Sequence, residues 1–396
     1  MQEIYLDSAA TSLIQPEVLA AGDRLVDLYK NPNLSASDVT MTLRKSLINA
    51  RQSVASLIHC SSDEIALIQS TSHGLSMLAD LLPLEQGDNV LMCDLEYQAS
   101  TMSFMRAAER KGFEIRCVST NNGEILLSDF KKYKDNGTKV IVLASVQEIN
   151  GYRADIKEIA NYCQEEGIFF VVDGIQEVGA FSVDVKELGI DFYVAGGKKW
   201  IGNPFGMGFM YMRNELVSRF KPNAYNYFTI VVDTEKYKNY ISYLENPARH
   251  PFDHYNIIEN ASKFEMGGYA NYIGAFGLEA AVNLILSKGQ KNIEERIRLL
   301  TGILYDGLIS LGITPCSSGE FKNQSGIVSF NFGLKDNDNS RERALVEYLQ
   351  TQGIKVSLRC STGMGGVRVS MHYYNNEDEV ERLLKEIKVF LLKYTN

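Results

Sequence analysis

The chain has no apolar run of the roughly 18–20 residues that a membrane span requires. Its first residues, MQEIYLDSAATS, show no basic start leading into an apolar stretch. Neither a membrane-spanning segment nor a secretory leader is therefore expected. There is no C-x-x-C pair and no Cys/His group at zinc spacing, so no metal site is expected. The six cysteines, Cys60, Cys93, Cys117, Cys163, Cys316 and Cys360, mostly border apolar stretches. They read as reduced residues of a cytoplasmic protein. A G-x-G-x-x-G or P-loop signature is missing too, which argues against a nucleotide-binding doubly wound domain. Basic residues are the minority, 40 Lys and Arg against 49 Asp and Glu, for a net charge of −9. That balance argues against a nucleic-acid partner.

What is present is ordinary globular material: 396 residues, 45% hydrophobic and 22% charged, enough for two or three units. From about residue 40 to 215, short apolar β-rich runs alternate with amphipathic helical stretches. The runs are EIALIQS, NVLMCD, EIRCVST, KVIVLAS, IFFVVDG, IDFYVAGG and GMGFMYMR. This alternation predicts an α/β fold with a mainly parallel sheet covered on both faces. In such sheets ligands bind beyond the carboxyl ends of the strands. Residues 216–262 break the rhythm with an aromatic-rich stretch of no clear period, expected to be an excursion over the site or an oligomer contact. From about 282, helices and strands follow a second pattern that predicts a smaller α+β domain. The expected division is a segment at 1–20 lining the site, a large domain at 21–281 and a small one at 282–396.

The strand ends hold the polar residues. LIQSTSHG ends a strand in Ser70, Thr71 and Ser72 and opens a helix at His73. Hydroxyls and free N–H groups at a helix start suit a phosphate, though an ordinary Ser/Thr cap reads the same way. CDLEYQAS places Tyr97 after a strand, where it stacks on a planar ligand or packs at a rim. ASVQEINGY puts Gln147 and Glu148 after another. In FFVVDGIQEVG, Asp173 follows four apolar residues and needs a partner: a cationic ring nitrogen, a metal or a helix start. Gln176 follows three residues on. In AGGKKWIGNPFG, Lys198 and Lys199 end an apolar strand before the only tryptophan. They are either two solvated charges on a turn or include a lysine held for chemistry. A phosphate cradle, a stacking ring, a buried acid and a lysine, in that order, are the four features pyridoxal phosphate requires.

At this point the sequence resembles the fold-type I pyridoxal-phosphate enzymes of aminotransferase class V, the group of cysteine desulfurases, selenocysteine lyases and isopenicillin-N epimerase-like proteins. The resemblance runs from YLDSAATS to VRVSMHYYNNEDEVERL, strongest in VVDGIQEVGAF, DFYVAGGKKWIGNPFGMGFMY and KFEMGGYANYIGAFGLEAA. It implies the pyridoxal-phosphate-dependent transferase fold, with a seven-stranded sheet in the large domain. Gly202, three places after Lys199, marks Lys199 as the Schiff-base lysine, and Lys198 takes the place of a phosphate-contacting histidine. Gly196 replaces a phosphate-binding serine. By the same resemblance Ser72 and the His73 backbone hold phosphate, Tyr97 stacks on the ring, Asp173 pairs with the ring nitrogen and Gln176 with the ring hydroxyl. Gln147 is placed facing the cofactor, with Glu148 as the alternative. Arg368 is expected to grip the substrate carboxylate, with Ala10 on the substrate side. Gly268, where the family has a threonine, implies backbone contact with the cofactor of a neighbouring subunit, hence a homodimer with shared sites. The expected substrate is a small amino acid. Desulfurase- or lyase-like C–S or Cβ chemistry leads, transamination comes second and epimerase-like racemisation third. A non-catalytic scaffold of the same fold is the alternative from another class. Cys360 is the one residue of its region that suits a persulfide-forming nucleophile, and a structural thiol is the stronger reading.

Overall fold

A computed structural model describes residues 3–394 apart from 226, 234, 238–239, 251, 253–254, 266–269 and 335–337. After a short β1 (Ile4–Tyr5) come β2 (Ile65–Ile68), β3 (Asn89–Cys93), β4 (Glu114–Val118), β5 (Thr138–Ala144), β6 (Phe169–Asp173), β7 (Phe192–Gly196) and β8 (Gly208–Met212). Strands β2 to β8 form one sheet in the order β2-β8-β7-β6-β5-β3-β4. Only β8 runs against its neighbours, β2 and β7. The remaining pairings are parallel. The mainly parallel sheet expected from the apolar runs is present. Residues of β2, β3, β7 and β8 are buried at every position, as a sheet covered on both faces requires. Strand alternation sorts them: Phe170, Val172, Tyr193 and Ala195 join one apolar cluster, Val171, Phe192 and Val194 the other.

This topology places the carboxyl ends of β2, β3, β5, β6 and β7 along one edge, because two antiparallel pairings through β8 return β2 to the direction of β7. The loops carrying Ser70–Ser72, Tyr97, Gln147–Glu148, Gln176 and Lys198–Lys199 all leave from that edge.

The stretch at 216–262 holds β9 (Ile230–Val231), β10 (Asn256–Ile257) and a five-residue helix, Tyr240–Leu244. Its aromatic residues pack on the helix Ala36–Leu57, where the Arg44 guanidinium lies 4.5 Å from the Phe228 ring centre and 5.0 Å from that of Tyr240. Near the C-terminus, β11 (Ile327–Phe330), β12 (Ile354–Lys355), β13 (Ser357–Ser361) and β14 (Met364–Ser370) are joined by helices Gln290–Ser310, Ser340–Thr351 and Glu377–Tyr394. The antiparallel sheet β11-β14-β13 and these helices enclose a third apolar cluster.

Two boundaries differ from expectation. The helix Tyr272–Lys288 runs through residue 282, because Val282 and Ile285 bury into the large core; the break comes at Gly289, whose φ of +83° suits glycine. The first residues do not all line the site. Ile4 and Leu6 enter the third cluster, and β1 pairs in parallel with β12. Only then does the chain cross to the sheet edge, where the Ser12 N–H and the Thr11 hydroxyl both donate to the Lys198 carbonyl at 3.2 Å.

Candidate active site

At the end of β2, Ser70 caps the eleven-residue helix Thr71–Leu81 with extended backbone, and its hydroxyl accepts from the His73 N–H at 3.2 Å. That bond spends the His73 donor assigned to phosphate. The N–H groups of Thr71 and Ser72, in the first turn, have no intrahelical acceptor and remain for an anion. Thr71 Oγ1 accepts from the Gly196 N–H at 2.9 Å, tying the end of β7 to the helix start. A Cβ on Gly196 would stand 3.3 Å from that oxygen. A side chain at this position would crowd the Thr71 hydroxyl.

The adjacent lysines part company in the structure. Lys198 is exposed, whereas Lys199 is 8% exposed, its Nζ 5.5 Å from the Tyr97 ring centre. What sorts them is Trp200, buried to 1% exposure. Its indole N–H donates to Gln176 Oε1 at 2.8 Å, and its carbonyl meets His372 Nε2 at 2.9 Å. With Trp200 fixed inward and Gly202 turning the chain at φ +79°, Lys199 is held inside. Burial lowers the Lys199 amine pKa to about 8 against the pull of Asp173 and Glu148. Asp173, 2% exposed, accepts from the Ile175 N–H at 3.0 Å. Burial raises its pKa to about 6, opposed by that bond and by Lys199. Among the described residues no salt bridge reaches it.

His372 underpins the lysine loop: its ring centre lies 5.4 Å from that of Trp200 and 4.9 Å from that of Tyr374, and burial lowers its pKa to about 4. The folded value lies below the unfolded one, so the neutral ring's stability is present above pH 6.5 and is lost as pH falls toward 4. From pH 7 to 5 the loss is expected to be about 2 kcal/mol at roughly 1.4 kcal/mol per pH unit. Urea midpoints over that range are expected to fall more steeply for the wild type than for His372→Asn.

Arg368, on β14, is 1% exposed. Its Nη1 donates to the Glu148 carboxylate and, at 3.2 Å, to the Glu148 carbonyl; its Nη2 reaches Asp7 Oδ1 at 3.3 Å. Asp7 also accepts from the Ser357 hydroxyl. Gln147, expected to face the cofactor, is engaged with Glu96. It is fully buried, and its Nε2 donates to Glu96 Oε1 at 3.0 Å. Glu148 takes the position facing Arg368 and Lys199. Gln176 is spent at both ends, accepting from Trp200 and donating to the Ala9 carbonyl at 3.2 Å. It clamps the segment that carries Ala10. Glu96, which no motif singled out, accepts from the Ala144 N–H and from Gln147, and burial raises its pKa to about 7. An acid directly before the ring residue Tyr97 at a strand end was the available signal. Gly268 lies outside the described residues.

A cavity of about 300 Å³ joins these parts, lined among others by Ser70, Thr71, Ser72, Tyr97, Asp173, Lys198 and Lys199. None of its described lining residues comes from 216–262. A larger cavity of about 450 Å³ beside Lys139, Phe169 and Asp191 sits at the amino ends of the strands, the wrong edge for a ligand of this fold. The donor set fits pyridoxal phosphate: free N–H groups at a helix start, an exposed ammonium beside them, a ring over the buried amine, and a buried carboxylate that no salt bridge reaches among the described residues. The described residues hold no group of three or more metal-ligating side chains. No helix among them is long and apolar enough to cross a membrane.

Cys360 lies on a tight hairpin. Thr362 and Gly363 connect β13 to β14 at φ +49° and +74°, the pattern of a two-residue type I′ turn, and Cys360 faces Gly365. The thiol is exposed, yet the atoms packed around it push its pKa up, opposite to what an activated nucleophile needs.

Known proteins share this chain's sequence and fold over nearly its whole length. A probable cysteine desulfurase of Pyrococcus abyssi is 30% identical over 392 residues, covering 96% of this chain and 92% of that protein. A probable cysteine desulfurase of Methanothermobacter thermautotrophicus is 27% identical over 395 residues, with the same coverage of 96% and 92%. The apo cysteine desulfurase of Thermococcus onnurineus NA1 superposes with a TM-score of 0.85 at 26% identity, over 99% of this chain and 95% of that one. The cystine C–S lyase C-DES, solved with its product cysteine persulfide, shares the fold at a TM-score of 0.84 and 21% identity, over 98% and 97%. The aminotransferase class-V family model matches residues 4–383, and the chain belongs to that family.

Proposed function

We propose that this protein is a pyridoxal-phosphate enzyme that cleaves the C–S bond of cysteine or a related small amino acid by β-elimination, without passing sulfur through Cys360. The observation that carries the cofactor assignment is Lys199, buried under Tyr97 and beside Asp173. The relatives named cysteine desulfurase support C–S chemistry. The hairpin at Cys360 favours elimination over persulfide relay, because a two-residue turn paired to Gly365 gives the thiol no loop on which to travel.

In this proposal the Thr71 and Ser72 N–H groups, the Ser72 hydroxyl and the Lys198 ammonium would hold the phosphate. Tyr97 would stack on the ring, and the Asp173 carboxylate would favour a protonated ring nitrogen. Bound pyridoxal phosphate supplies the electron sink for cleavage at the substrate's Cα and Cβ. Lys199 Nζ, its pKa lowered to about 8 by burial, takes the proton from Cα and delivers one to the departing sulfur. Cysteine and water give pyruvate, ammonia and hydrogen sulfide, so the equation balances without an acceptor protein. We also place the enzyme in the cytoplasm as a homodimer with shared sites, and retain the division into a large cofactor-binding and a small C-terminal domain. Light scattering in solution tests the dimer.

The test is product analysis with L-cysteine. Pyruvate and sulfide in equal amounts are expected, and Cys360→Ala is expected to keep turnover within about twofold of wild type. Alanine with a persulfide on Cys360 would mean desulfuration instead. Keto-acid dependence would mean transamination, and racemisation without net loss of substrate would mean epimerase chemistry.

A further inference from the structure

Arg368, the residue matched to the substrate carboxylate, is already occupied. Of its three donor nitrogens, Nη1 bonds to Glu148, Nη2 to Asp7, and the buried Nε has no partner. Glu148 does more than brace the guanidinium. It also bears electrostatically on the Lys199 amine, so the carboxylate paired to Arg368 acts on both groups that an amino-acid substrate must reach together. Arg368 is 1% exposed, and its side chain has little surface left for a second carboxylate. Charge makes the same point: one guanidinium faces two acids, and a substrate carboxylate would be the third.

We propose that Glu148 is a specificity-determining residue, an internal carboxylate that occupies Arg368 and must be displaced by the carboxylate of an incoming amino acid. This rests on the pyridoxal-phosphate proposal above and deepens it. A ligand with an amine but no carboxylate leaves the Glu148–Arg368 pair in place and pays no such penalty. An α-amino acid gains the guanidinium only by breaking the pair, and the released Glu148 carboxylate then stands close to the substrate's own. The site therefore discriminates weakly between amino acids and their uncharged amides. Asp7 does not compete in this way, because the Ser357 hydroxyl holds it and its chain is tied to β14 through the Asp7–Ser370 bridge. Glu148 follows β5 in a loop and rests on the arginine alone among the described side chains.

The experiment is a spectroscopic titration of the pyridoxal-phosphate-loaded protein with L-alanine and with L-alaninamide, following the cofactor absorbance, in wild type, Glu148→Gln and Glu148→Asn. Both variants keep a polar amide and remove the charge. L-Alanine is expected to bind at least tenfold tighter to both variants than to wild type, and L-alaninamide to change less than threefold. Unchanged or weaker L-alanine binding in both variants, with cofactor retained, would overturn the inference and make Glu148 a brace for Arg368. If one variant fails to fold, the other decides. If wild type itself takes up no pyridoxal phosphate, the failure lies with the cofactor proposal, and the inference falls with it.

Discussion

Lys199→Ala is expected to lose covalent capture of pyridoxal phosphate and to lower turnover of L-cysteine by at least about 10³-fold, as expected when one amine is both covalent anchor and proton carrier. Lys198→Ala is expected to keep capture at Lys199 and to weaken cofactor retention about two- to fivefold, the size of one exposed charge contact to a phosphate. The difference follows from burial. Only Lys199 points inward, because Trp200 is anchored by Gln176 and His372. A pKa near 8 gives that amine a reactive neutral fraction at physiological pH. Its sign fixes a pH profile: capture by the cofactor-free protein is expected to rise about tenfold per pH unit below 8 and to level off above it. A covalent bond formed at Lys198, or a flat profile, would refute the assignment. Mass spectrometry after borohydride reduction locates the bond, and stopped-flow absorbance gives the profile.

The second large effect belongs to Asp173. Asp173→Asn is expected to slow exchange of the Cα proton of L-alanine with deuterium by about 10²–10³-fold, the magnitude of losing one preorganised charge contact. The substitution preserves shape, and its amide oxygen still accepts the Ile175 N–H, so the fold is expected to survive. What it removes is the negative charge that holds a proton on the ring nitrogen. A buried carboxylate with a pKa raised to about 6 gains a partner when that nitrogen is protonated. Exchange rates measured by proton NMR, with cofactor content checked by absorbance, separate loss of proton abstraction from loss of binding. A variant exchanging at the wild-type rate would remove Asp173 from the account.

Much of the site could be read before any coordinates, for a physical reason. The apolar runs mark strands buried on both faces, and in a parallel sheet their polar ends must share one edge. Ser72, Tyr97, Asp173 and Lys199 are therefore gathered by topology alone. The misreadings arose where one residue of register or one distant partner decides. Gln147 and Glu148 are neighbours of similar length; only the bond from Gln147 to Glu96 shows which one turns into the core. At His73 the motif allows both a phosphate donor and a Ser/Thr cap, and the bond from the His73 N–H to Ser70 is the cap. Asp7 reaches an arginine 361 residues away, across β1 and β14. The helix Tyr272–Lys288 spans the division expected at 281/282, with Val282 and Ile285 buried in the large core.

The central claim is that the buried lysine, and not its exposed neighbour, carries the cofactor. The most direct measurement is to incubate the purified protein with pyridoxal phosphate, reduce with borohydride and map the modified peptide. A single adduct on Lys199, accompanied by loss of the visible absorbance band, is the predicted result. An adduct on Lys198, or no adduct at saturating cofactor, would contradict the account; the second outcome would make this chain a class-V fold without its chemistry.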